Sequence, residues 1–158
     1  MGPPRTAPFD VFTREIDAWW QRGPRYRFMA PYGGTMTLEA GVGGRLLHLE
    51  SSGQVFVVGH IEVWEPPRRL ALTWRLPNFA PDQVTRVDVR FEPIGDATRV
   101  SVTHDGWDQI PARHPARHGL AGRDFVLFRG QWWGDLLLFL KRQAEARGSI
   151  TCTGGDQP

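Results

Sequence analysis

The chain has 158 residues, 41% of them hydrophobic, with seven Trp, nine Phe and a formal net charge of +2. Such a length suits one domain and the aromatic share supplies a core, which excludes disorder for most of the chain. The charge is too small and Arg too dispersed for a nucleic-acid footprint, and a single Cys, Cys152, excludes a disulfide framework or a Cys-based metal site. The N-terminal stretch lacks the apolar run of a signal peptide, and no segment approaches the roughly 20 apolar residues of a membrane span. A cytoplasmic location with no membrane span is the expectation.

In chain order, residues 6–21 read as a helix, with Thr6 as N-cap and Phe9, Phe12, Ile16, Trp19 and Trp20 forming one apolar stripe. Residues 22–34 mix Pro and Gly with bulky aromatics, which suits a covering loop, a rim or lid. Six antiparallel strands follow over 35–40, 45–51, 54–64, 69–76, 83–93 and 98–104, each rich in β-branched and aromatic residues and bounded by Gly, Pro, Asn or Asp. Leu70, Leu72, Trp74 and Leu76 share one face of their strand, as do Val87, Val89 and Phe91 of theirs, while Arg86, Asp88 and Arg90 take the opposite face. The strand over 54–64 is apolar on both parities, which indicates a central position covered on each side or a subunit contact. From 118 to 147 the period is helical, with an apolar arc wide enough to need broad burial. Residues 148–158 read as a disordered tail.

Helix, antiparallel meander and long C-terminal helix, in that order, describe an α+β helix-grip fold over 6–147: a curved sheet of about six strands wrapped around the last helix. The pattern Glu39, Gly43-Gly44-Arg45, then Gly59, Ile61, Pro66-Pro67-Arg68-Arg69-Leu70 and Trp74, then Val87, Val89 and Phe91-Glu92-Pro93, then Thr98-Arg99-Val100 and Val102-Thr103-His104 resembles the SRPBCC (START-like) superfamily. More narrowly it resembles the branch named for the activator of the heat-shock protein 90 ATPase, in a single-domain, bacterial-type form. The pairs Trp19-Trp20 and Trp132-Trp133 share that likeness, which covers about residues 8–146. Two departures stand out. Relatives begin with an edge strand that has no counterpart before residue 6, and Gly41 replaces a residue that is often basic. The resemblance implies three alternatives: a ligand-binding protein, a pocket enzyme of the polyketide cyclase or aromatase type, or a chaperone-activator-like interaction module.

A helix laid on a curved sheet leaves a concave apolar space, the usual form of a small-molecule site. Its expected lining is Phe12, Ile16, Trp20, Phe28, Trp74, Phe91, Phe125, Phe128 and Trp132, with polar orientation from Glu39, His60 or His104; equally, the apolar residues could make a packed core. A small lipophilic ligand is therefore the expected partner, and Phe56, Val58 and Trp64 leave a homodimer open. His48 with Glu50, His60 with Glu62, and His114 with His118 offer no third convergent ligand, so neither a metal nor another cofactor is expected. No Ser elbow or phosphate loop is present, and no catalytic residue is assigned, although His104 with Asp105 or Glu39 would be the pair to serve as a general base.

Overall fold

The computed structural model describes residues 7–23, 25–28, 33–111, 113–120 and 122–147. Its elements are α1 (Pro8–Arg14), α2 (Ile16–Trp19), β1 (Thr35–Leu38), β2 (Arg45–Leu49), β3 (Val55–Glu65), β4 (Arg69–Trp74), β5 (Thr85–Ile94), β6 (Ala97–Asp105) and α3 (Gly122–Ala146). Two short 3-10 turns, Trp107–Gln109 and Pro115–Arg117, lie between β6 and α3. The strands pair in sequence order from β1 to β6, every pair antiparallel. This is the helix-grip architecture, an α+β fold in which the curled sheet holds the C-terminal helix. No strand precedes α1 among the described residues, so β1 and β6 are the two edges of the sheet.

Alternation sets the two faces of the sheet. Leu70, Leu72, Trp74, Val87, Val89 and Phe91 are buried. On the outer face, Arg69 pairs with Asp88 at 2.7 Å and Arg86 with Glu62 at 2.7 Å. The register slips between Leu46 and Leu47 and between Ile61 and Val63, and such bulges bend a sheet. Gly59 lies at the first bend, opposite Leu46, and a Cβ there would run into the Thr73 carbonyl, so only glycine lets β3 and β4 come this close. The Pro66-Pro67 peptide bond, in the β3–β4 turn, is cis. Strand β3 is interior to the sheet: Val58 is fully buried, Phe28 lies 5.9 Å from Phe56, and Phe9 lies 5.1 Å from Trp64, while Val55 at its start is exposed.

The helix expected over 6–21 is broken in two at Glu15. Thr13 donates its hydroxyl to the Phe9 carbonyl at 2.9 Å, a back-bond that tends to bend helices. Glu15 in turn accepts hydrogen bonds from Gln143 and Arg147 at the end of α3. The break turns Phe9, Val11 and Phe12 of α1 and Ile16 and Trp19 of α2 all toward the core. Thr6, expected as the cap, and the tail 148–158 lie outside the described residues. The long helix starts at Gly122 rather than near 118, because His118 takes a left-handed conformation that closes the preceding turn. No described helix is long and apolar enough to cross a membrane.

Candidate functional site

Large rings fill the middle of the grip. Phe12, Ile16, Trp20, Trp74 and Trp133 surround a residual void of about 10 Å³, space for no more than one water. Trp20 alone makes ring contacts with Trp74, Trp132 and Trp133 at about 6 Å. Two clefts that flank α3 hold accessible space. The smaller, about 320 Å³, lies under the segment Arg25 to Phe28 and is walled by Trp74, Leu76, Phe128 and Trp132. The larger, about 690 Å³, runs between β6 and α3, with Val102, Trp107, Phe125, Trp133 and Leu137 on its walls.

The twelve residues singled out from the sequence separate into five groups. Phe12, Ile16 and Trp20 surround the nearly closed centre. Phe91 packs between Phe9 and Phe12 at 5.3 and 5.8 Å and lines neither cleft. Phe28, Trp74, Phe128 and Trp132 line the smaller cleft, and His104 and Phe125 the larger. Glu39 and His60 stand apart at the surface. Glu39 accepts from the backbone and side chain of Arg45 at 2.9 Å, and those hydrogen bonds hold its carboxyl down at about 2. Glu39 thus faces Arg45 and not His104.

The smaller cleft has a pinned rim. Trp20 donates its indole N–H to the Tyr26 carbonyl at 2.8 Å, and Trp132 donates to the Arg25 carbonyl at 2.9 Å. Arg27 is buried and donates to Asp17, to the Trp20 carbonyl and to the Gln21 carbonyl. Two indoles and one guanidinium therefore tie the covering segment to α2 and α3.

His104 sits between the core and the larger cleft, its ring 5.7 Å from Trp74 and 4.8 Å from Trp107. An indole nitrogen can only donate, so Trp133 Nε1, at 3.2 Å, makes His104 Nδ1 an acceptor. The proton must then sit on Nε2, which donates to Thr85 Oγ1 at 2.7 Å, and Thr85 passes its own proton to the Trp74 carbonyl at 3.1 Å. Burial, and next the charge of Arg129, push the His104 ring well below the ordinary histidine range. The ring is neutral at pH 7 and both nitrogens are engaged.

Sequence reading did not assign Arg129, Trp107, Gly130 or Gly134 to a site, and it named Trp133 only as half of the Trp132-Trp133 pair. Arg129 touches both clefts. A signal for it exists: it falls among Phe125, Trp132, Trp133 and Leu136 on the buried face of the helix, where an arginine needs a reason. His48, His114 and His118 each have local partners: Gly33 and Glu50, Asn78 and Ala116, and the ring of Phe128, respectively. Among the described residues no group of three or more His, Cys, Asp or Glu could hold a metal ion.

The sequence matches the family of activator of Hsp90 ATPase homolog 1-like proteins over residues 4–124, well over half of its length. The chain belongs to that family. The match of this Hsp90-activator-like chain takes in the whole sheet and the β6 wall of the larger cleft, and it ends before Arg129. Among solved structures, the activator-like chain is similar to an anthrahydroquino-γ-pyrone synthase, Txn09, in complex with SUM: identity is 30%, covering 70% of this chain and 74% of that one, with a TM-score of 0.46. It is also similar to protein MLL2253 from Mesorhizobium loti at 19% identity, covering 89% and 93% of the two chains, with a TM-score of 0.54, a likeness of fold. No curated protein matches the chain.

Proposed function

We propose that the protein binds a small, largely apolar ligand in the cleft between β6 and α3. Gly130 and Gly134 carry this reading. Both lie in the interior of a 25-residue helix, line the larger cleft, and have nothing within 4 Å of where a Cβ would stand. Each costs the helix about 1 kcal/mol relative to Ala. No close contact across the helix demands a glycine at either place. What their absent side chains do supply is room, in a cleft of about 690 Å³ whose walls include Val102, Trp107, Phe125, Trp133 and Leu137. Binding rather than proton transfer is the role that fits this cleft, because the imidazole on its wall has no free nitrogen to act as a base.

The neutral dye N-phenyl-1-naphthylamine, whose emission rises in apolar surroundings, provides the test. It should bind the purified protein saturably at one dye per chain. Gly134→Leu, which projects a side chain into the cleft and adds a good helix former, should weaken binding about tenfold or more while the protein melts no lower. A wild-type protein that gives no saturable signal, or a Gly134→Leu protein that binds the dye as well as wild type, overturns the reading.

A further inference from the structure

Three arginines are buried among the described residues, and two of them are supplied with oxygen acceptors. Arg27 has Asp17 and two carbonyls, and Arg117 donates to the carbonyls of Trp107 and Ile110 at 3.1 and 2.9 Å. Arg129, only 8% exposed, has none. Its Nη2 faces His104 Nδ1 at 3.4 Å, a lone pair already taken by Trp133, and its Nε has no hydrogen-bond partner. No Asp or Glu among the described residues forms an ion pair with it. Burial draws its pKa down to about 10, which leaves it cationic at neutral pH.

A guanidinium carries five N–H donors and cannot shed its charge cheaply, so burying one without an anion is costly. The rings of Trp132 and Trp107, 4.5 and 5.0 Å from the guanidinium carbon, offset part of that cost. They leave its N–H groups unsaturated. The neutral His104, locked through Thr85 to the Trp74 carbonyl, limits where the guanidinium can turn and adds no charge of its own. The two carboxylates that line the same cleft, Asp105 and Asp108, are exposed, and Asp105 acts on Arg86. The cleft thus has ring walls and two buried cations, Arg117, which is held by carbonyls, and Arg129, which has no oxygen acceptor and also lines the smaller cleft.

We propose that Arg129 seats the oxyanion of a small aromatic acid, a carboxylate or its equivalent, whose ring body lies along Trp107, Phe125 and Trp133. The proposal rests on the larger cleft being a ligand site and names the class of ligand it takes. Its test is competition against N-phenyl-1-naphthylamine with a matched pair, 2-naphthoate and 2-naphthamide, equal in shape and different in charge. The acid should displace the dye at a concentration about tenfold or more below that of the amide. Arg129→Gln should bring acid and amide to equal displacement, each read against that protein's own dye affinity, Arg129→Lys should keep part of the preference, and Arg123→Gln, at an exposed arginine of the same helix, should keep all of it. Equal displacement by acid and amide in the wild type overturns the proposal, as does an acid preference that survives in Arg129→Gln. Should Arg129→Gln fail to fold, the wild-type ratio and the Arg129→Lys protein decide. Failure of the dye itself to bind removes the ligand-site reading beneath the proposal, whereas dye binding without acid preference removes this proposal alone.

Discussion

A buried arginine without an oxygen partner and a histidine with both nitrogens occupied define the chemistry beside α3. The tautomer of His104 follows from the indole of Trp133, so replacing that indole has a defined consequence. Trp133→Phe removes the N–H donor from Nδ1, and the His104 pKa should rise toward the ordinary histidine value; a titration of the ring resonances by NMR reads it directly, and an unmoved or lower pKa would refute the network. Gly59 is the other residue whose identity is dictated locally. Gly59→Ala drives a methyl into the Thr73 carbonyl and should cost about 3 kcal/mol or more in urea unfolding, near the upper end for single substitutions. A loss below about 1 kcal/mol would mean that β3 and β4 can part there without penalty.

Among the elements, the strands were the most legible in the sequence because period-two burial is local information. Leu70, Leu72 and Trp74, or Val87, Val89 and Phe91, declare their face without reference to the rest of the chain. The break at Glu15 was not legible, since it depends on Gln143 and Arg147 more than 120 positions away. The start of α3 was hidden too, because the turn before it needs a left-handed His118, a conformation no pattern in the sequence announces. The glycines of α3 mark where local propensity and use diverge. Gly134→Ala, with nothing to clash against, should stabilise the protein by about 1 kcal/mol and raise Tm by about 2–4 °C. A lower Tm would show that something does pack closely there.

For the whole molecule, the order of elements and the family were legible from the sequence, whereas the place of the cavity was not. Every aromatic proposed as lining does lie at the core or in a cleft, yet the choice between filled and open space depends on volumes that appear only once Trp20, Trp74 and Trp133 are seen to meet. Glu39 and His60 could be placed at the surface only when register and ion pairs were known. Global stability also carries the signature of the buried imidazole. The native state resists protonating His104 while the unfolded chain accepts a proton near pH 6.5, so stability should fall as pH drops below about 6.5, by at most about 1.4 kcal/mol per pH unit. Urea unfolding at pH 7.5, 6.5 and 5.5 would show that slope, and His104→Gln should flatten it; an equal slope in both proteins would assign it to other groups.

The seven indole N–H resonances of ¹⁵N-labelled protein, followed during titration with 2-naphthoate, report on all parts of the core at once. Binding in the cleft beside α3 should shift Trp107 and Trp133 saturably and leave Trp19 and Trp64, which line neither cleft, in place. Seven unmoved resonances, or a shift at Trp19 and Trp64 as large as that at Trp107, would contradict a ligand site between β6 and α3.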